Sequence, residues 1–153
     1  MKSERTRGAA DVDASHIRIA TDAIAQIRRH GQETYPNECC GALIGQDRDA
    51  TEAHPFPNTT EEGPRRRFLI GPADYRAAEA LARDGRQLLG FYHSHPDHPA
   101  RPSQYDLEHA WPSFSYVIVS VVSGEPGDVR SWRLRDDRSQ FDEEFLELWP
   151  TKS

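Results

Sequence analysis

Gly90-Phe91-Tyr92-His93-Ser94-His95-Pro96, followed by Ser103 and Asp106, is the most informative stretch of this chain. The apolar run at residues 88–92 predicts a strand that ends in the two histidines. Residues i and i+2 of a strand face the same side, so both imidazoles point at one place. A tight loop and the first turn of a helix would bring the Asp106 carboxylate back to them. Two histidines and a carboxylate, with a fourth position open to water, form the ligand set of a catalytic zinc site.

Each part of this pattern also has a simpler interpretation. Histidines in a strand often serve only local hydrogen bonds, and Ser103 suits the N-cap of a helix that has Asp106 as its first-turn acidic partner. These interpretations explain the local shape, but they give no reason for His93, His95 and Asp106 to converge. The capping role and the metal role are compatible, because the cap fixes the turn that presents Asp106.

The spacing resembles the motif of the JAMM metalloproteases, also called MPN+ domains. That motif is an upstream Glu, then His-Ser/Thr-His-Pro, then Ser-x-x-Asp. Its positions here are Glu38, His93-Ser94-His95-Pro96 and Ser103-Gln104-Tyr105-Asp106. Residues 36–45 also resemble the bacterial branch of the family, in which the Glu opens a Cys- and Gly-rich strand. The resemblance covers about residues 17–122 and carries every motif position.

The resemblance implies an α/β (mixed α+β) fold, in which a curved mixed β-sheet is flanked by helices. It also implies a role for each motif residue. His93, His95 and Asp106 would bind Zn²⁺. Glu38 would be the general base that later protonates the leaving amine, and Ser103 would hydrogen-bond the oxyanion of the tetrahedral intermediate. Without the motif, Glu38 would be interpreted as an ordinary exposed residue beside a turn.

The activity that the resemblance implies is zinc-dependent hydrolysis of a peptide or isopeptide bond after the C-terminal Gly-Gly of a ubiquitin-like protein. Compact bacterial members are similar to peptidases that trim a residue such as cysteine from a ThiS/MoaD-type sulfur carrier. The short chain favours that partner, bound by strand addition to a sheet edge. The alternatives are a deubiquitinase-like isopeptidase, a non-catalytic MPN interaction module, and a structural zinc site, which four protein ligands usually close.

Composition narrows the class of protein further. The 153 residues suffice for one domain, which we expect at residues 15–150 after a charged, disordered tail at residues 1–14. A net charge of −6 argues against a nucleic-acid surface. No apolar run could span a bilayer, and residues 1–14 contain no signal-peptide core, so we expect a cytoplasmic protein. The oligomeric state stays open between monomer and homodimer.

The cysteines, Cys39 and Cys40, are adjacent and form no disulfide framework. They could be zinc ligands or a nucleophile. We favour a third interpretation, small residues packed where a strand enters the core, because the chain has no CxxC pair.

Hydrophobic periodicity predicts alternating strands and helices. Strands are predicted at residues 17–19, 39–45, 51–56, 66–70, 88–95, 115–122 and 129–135. Helices are predicted from Thr21 to near Gly31, over residues 72–84 and over residues 103–110, and residues 58–64 are predicted to be a loop. Residues 124–127 are predicted to form the turn between the last two strands. Residues 141–149 fit either a helix or a strand.

Overall fold

The computed structural model describes residues 16–57 and 72–150 of the chain. These ranges contain seven strands and three helices. The strands are β1 (His16–Ala20), β2 (Cys40–Gln46), β3 (Asp49–Phe56), β4 (Gln87–Pro96), β5 (Ser115–Val122), β6 (Glu125–Leu134) and β7 (Phe141–Trp149). The helices are α1 (Thr21–Thr34), α2 (Pro72–Leu81) and α3 (Gln104–His109). The strand predicted at residues 66–70 and the loop at 58–64 lie outside the described residues.

The strands form a mixed sheet, as predicted, and the sheet curves until it closes into a barrel. The order around the barrel is β1-β3-β2-β4-β5-β6-β7. The pairs β1–β3, β1–β7 and β4–β5 are parallel, and the other neighbours are antiparallel. Closure depends on β1, which pairs with β7 along its whole length and with β3 at Arg18 and Ile19.

The central strands β4 and β5 are almost continuously buried, because both of their faces are covered. One hydrophobic cluster lies under α1 and includes Tyr92 and Val119. The other includes Phe91 and Tyr116, with residues of α2 and α3 packed against it. Since side chains alternate along a strand, His93 and His95 face the same side as Phe91. No helix within the described ranges is long and apolar enough to cross a membrane.

Helix α1 ends near Gly31, as predicted, whereas α2 ends earlier than predicted. α1 continues past Gly31 to Thr34. Gly31 allows close packing instead of ending the helix, because a Cβ there would lie 3.0 Å from Val121 Cγ2 and 3.4 Å from Ser94 Cβ. α2 ends at Leu81, before the predicted residue 84. The chain then turns through positive φ angles at Asp84 and Gly85, which no helix can adopt.

The connection between β5 and β6 is tighter than predicted. Ser123 and Gly124, with φ angles of 53° and 85°, form a two-residue hairpin turn, and β6 begins at Glu125. Residues 125–127 therefore belong to the strand and not to the turn. Residues 141–149, whose pattern fitted helix or strand, form β7, because β6 pairs with the start of the segment and β1 with the rest.

Candidate metal centre

Strand β4 and helix α3 bring three predicted site residues together. His93 and His95 project from the same face of β4, and the first turn of α3 presents Asp106 to them. The His93 Nε2 and His95 Nε2 atoms are 3.2 Å apart, and each lies 3.2 Å from Asp106 Oδ2. All three side chains are buried. In the part of the chain that the structure describes, no other group of three His, Cys, Asp or Glu donors converges in this way.

These distances suit a single small cation. In a tetrahedral zinc site with bonds of roughly 2.0 Å, neighbouring ligand atoms lie roughly 3.3 Å apart. Two imidazole nitrogens and one carboxylate oxygen are also ligand types that zinc prefers. Three protein ligands are the number found in catalytic zinc sites, whereas structural sites are usually closed by four.

The charge states of His93 and Asp106 match those that metal ligation requires. Burial lowers the pKa of His93. Burial also opposes ionisation of Asp106, but its interactions with His93 and His95 outweigh that effect and hold the pKa of the carboxyl well below its usual range. A neutral imidazole beside an ionised carboxylate is the protonation state in which these groups bind a metal.

The backbone carbonyl of Pro99 sets the tautomer of His95. It lies 2.9 Å from His95 Nδ1. A carbonyl only accepts hydrogen bonds, so Nδ1 carries the proton and Nε2 keeps its lone pair for a metal. The sequence motif did not identify Pro99, because the contact uses a backbone atom that every residue type possesses.

Ser103 caps helix α3 and orients Asp106. The Ser103 Oγ accepts a hydrogen bond from the Asp106 amide at 3.1 Å, and Asp106 Oδ2 accepts one from the Ser103 amide at 2.8 Å. This reciprocal capping box holds the carboxylate oxygen that faces the imidazoles. Because the Ser103 hydroxyl acts as the acceptor in this cap, its own hydrogen is available for a further acceptor, such as an anionic oxygen.

Glu38 lies immediately before β2 and is 5% exposed. It lines a cavity of about 620 Å³ together with His95 and Ser103, so one space contains the predicted base, a predicted ligand and the predicted oxyanion donor. His98 lies at this cavity too.

A second cavity, of about 300 Å³, borders two of the three predicted ligands. Its walls include His93 and Asp106, but not Glu38, and they are mostly apolar. The aromatic part of the wall consists of Phe91, Tyr105, Trp111, Tyr116 and Phe141. The sequence analysis did not identify this wall, because its side chains come from separate elements that the fold brings together.

Cys39 and Cys40 are structural. Both are buried, and burial raises the pKa of each thiol to about 12. Neither belongs to the group of converging metal donors. A thiol that remains neutral near pH 7 is a poor nucleophile, so the packing interpretation holds for both residues.

We expect both thiols to resist alkylation in the folded protein. At about pH 8, a pKa near 12 leaves so little thiolate that iodoacetamide should react roughly a thousandfold more slowly than with an ordinary cysteine. Mass spectrometry after timed labelling measures this, with the protein in denaturant as the control that labels at both positions. Equal labelling rates in the folded and unfolded protein would contradict the burial of these residues.

Comparisons with known proteins agree with this geometry. Residues 20–135 match the family described as prokaryotic homologs of the JAB domain. The chain is 37% identical over 115 residues to a desampylase of Haloferax volcanii. This alignment covers 70% of this chain and 82% of the relative. It is 36% identical over 99 residues to a probable TtuB-protein conjugate cleaving protease of Thermus thermophilus. This alignment covers 64% of this chain and 66% of that protein.

A solved structure agrees with the architecture. The crystal structure of a JAB1/MPN domain protein from Archaeoglobus fulgidus matches with a TM-score of 0.60 over 88% of this chain and 99% of that protein. The two sequences are 19% identical, so this likeness concerns the fold alone.

Proposed function

This chain belongs to the family of prokaryotic homologs of the JAB domain, and from that membership we infer that it hydrolyses the bond after the C-terminal Gly-Gly of a ubiquitin-like sulfur carrier. It is a JAMM-type zinc metallopeptidase that acts on conjugates of small ubiquitin-like proteins. The sulfur carrier, of the ThiS/MoaD type, is the finer part of the proposal. One relative is described as cleaving protein conjugates, which is the same class of reaction.

The observation that carries the proposal is the set of three donor atoms 3.2 Å apart, beside a cavity that Glu38 and Ser103 both line. Zinc bound by His93, His95 and Asp106 would supply a Lewis acid and lower the pKa of a coordinated water. A non-catalytic MPN module would have no need of these donors.

The remaining chemistry is assigned to two side chains of this cavity. The Glu38 carboxylate accepts a proton from the attacking water and then donates it to the nitrogen of the leaving amine. The Ser103 hydroxyl donates a hydrogen bond to the oxygen that becomes negative when the carbonyl carbon turns tetrahedral. The cap leaves the hydroxyl hydrogen of Ser103 available, because in the cap Ser103 Oγ is the acceptor of the hydrogen bond from the Asp106 amide.

The two cavities suit the two sides of the scissile bond. The leaving amine must lie near Glu38, so the leaving group occupies the larger cavity, which Glu38 lines. The tail of the carrier then lies towards the smaller, apolar cavity. A Gly-Gly sequence suits a tail that passes close to the metal, because it has no side chains to hold its backbone away.

Over residues 90–93 the tail cannot add as a new strand to β4, so the expected strand addition would have to use another part of the sheet. Over residues 90–93, β4 is already paired with β2 on one side and with β5 on the other. Over these residues β4 is therefore an interior strand between β2 and β5 and offers no free edge. We infer that side chains of the two cavities hold the tail instead.

Substrate class is tested with a sulfur carrier from the host, extended by one cysteine after Gly-Gly, beside a diubiquitin control. We expect mass spectrometry to show the carrier trimmed back to Gly-Gly while diubiquitin remains intact. The Glu38→Gln variant, assayed on both substrates, controls for contaminating proteases. Cleavage of diubiquitin with the carrier untouched would favour the deubiquitinase-like alternative, and cleavage of neither would contradict the proposed function.

A further inference from the structure

We propose that Ser94 and Tyr35 are positioning residues that hold Glu38 at the metal centre. The proposal rests on the function above, in which Glu38 is the general base. The residues 35–39, which we call the Glu38 segment, connect α1 to β2. Each end of this segment is hydrogen-bonded to β4 or to the residue that follows it, and β4 is the strand that carries the two imidazoles.

The first contact lies on the C-terminal side of Glu38. The ladder between β2 and β4 ends at the pair Cys40–His93. One residue further, the Cys39 amide donates to Ser94 Oγ at 2.8 Å, and the Ser94 amide donates to the Cys39 carbonyl at 3.2 Å. The Ser94 side chain is fully buried, so no solvent could replace its hydroxyl. The hydroxyl thus extends the pairing to the residue next to Glu38.

The second contact lies on the N-terminal side of Glu38. The Tyr35 hydroxyl donates to Asp97 Oδ2 at 2.7 Å. Asp97 follows β4 and is itself fixed, because its Oδ1 accepts from the Ser123 amide at 2.8 Å and its own amide donates to the Val121 carbonyl at 2.7 Å. The β5–β6 hairpin therefore anchors the carboxylate that holds Tyr35.

Close packing of α1 brings Tyr35 to this position. Gly31 lies against Val121 and Ser94, where a Cβ would crowd both side chains. The Tyr35 amide donates to the Gly31 carbonyl at 3.2 Å, which ends the helix beside Asp97. Helix, Glu38 segment and β4 thus form one connected unit.

Loss of either contact should affect the chemical step more than substrate binding. A general base works only within hydrogen-bond reach of the proton that it takes, and a displacement of about 1 Å can cost about a hundredfold in rate. The three metal ligands keep their own contacts when the Glu38 segment shifts. We therefore expect a lower kcat with an unchanged zinc content.

The experiment compares four variants of the full chain on the cleavable carrier. Ser94→Ala should lower kcat by about ten- to a hundredfold while KM stays within about twofold. Ser94→Thr keeps the hydroxyl and should restore most of the rate. Tyr35→Phe, which removes only a surface hydroxyl, should lower kcat several-fold. Ser115→Ala is the matched control, because Ser115 is a buried β5 serine that accepts from Arg48 Nη2 at 2.9 Å, and it should keep the wild-type kcat.

The outcomes separate this proposal from the proposed function. A wild-type kcat in both Ser94→Ala and Tyr35→Phe, with Glu38→Gln inactive, would overturn the positioning role and leave the general base in place. Loss of zinc, or a change confined to KM, would equally overturn it. Full activity of Glu38→Gln would instead remove the function on which the proposal rests. If Ser94→Ala does not fold, the kcat of Tyr35→Phe decides.

Discussion

Glu38→Gln is expected to lower kcat for hydrolysis of a Gly-Gly-amide bond by about a hundred- to ten-thousandfold, which is the usual contribution of a general base. Gln has nearly the same shape as Glu, so the packing of this nearly buried side chain should persist. An amide side chain, however, cannot accept a proton from water at neutral pH. It also has no acidic proton to donate to the leaving amine. Glu38 is not among the converging metal donors, so zinc should remain at wild-type content.

Steady-state kinetics with purified carrier, together with elemental analysis of the same sample, measures both parts of this expectation. Glu143→Gln is a suitable control, since Glu143 is an exposed residue of β7 that pairs with Arg130. It makes the same chemical change on the surface and should keep the wild-type rate. Cleavage by Glu38→Gln at the rate of that control would show that Glu38 is not the base.

His95→Ala is expected to remove both the zinc and the activity. The wild-type protein should carry about one zinc per chain. The variant loses one of the three predicted ligands, an imidazole whose tautomer the Pro99 carbonyl sets. Because a metal that binds only the folded state stabilises it, the variant should also gain little in melting temperature when zinc is added.

Elemental analysis and thermal melts with and without zinc measure this loss. His98→Ala provides the matched control, because His98 lines the same cavity but is not one of the converging donors. It should retain about one zinc per chain. Full zinc occupancy in His95→Ala, or loss of zinc in His98→Ala, would mean that the ligand set is wrongly assigned.

Much of the candidate site followed from local pattern in the sequence. The alternation of a strand is enough to place His93 and His95 on one face, and the apolar run before them marks the strand. A capping residue followed by an acidic one three positions later is likewise a local signal, and Ser103 and Asp106 form that cap. The importance of Glu38 came from the family motif, since its own neighbourhood indicated only a turn.

Other features depended on contacts between residues far apart in the chain. β7 is a strand because β1 and β6 pair with it, whereas its own spacing suited a helix equally well. The apolar cavity draws its aromatic wall from separate elements, so no local pattern in the sequence indicated it. Ser94 lies inside the motif, yet its contact with the Cys39 amide depends on where the β2–β4 ladder ends.

By itself, the sequence determined the strand that carries His93 and His95, the cap that presents Asp106, and the buried setting of the two cysteines. These features depend on period, on spacing and on residue chemistry within a few positions. Only the tertiary structure decided that the sheet closes, which strands flank β4, and how the Glu38 segment is attached. The reason is physical: strand pairing and side-chain-to-backbone hydrogen bonds join residues many positions apart, and the backbone groups that they use are the same in every residue type.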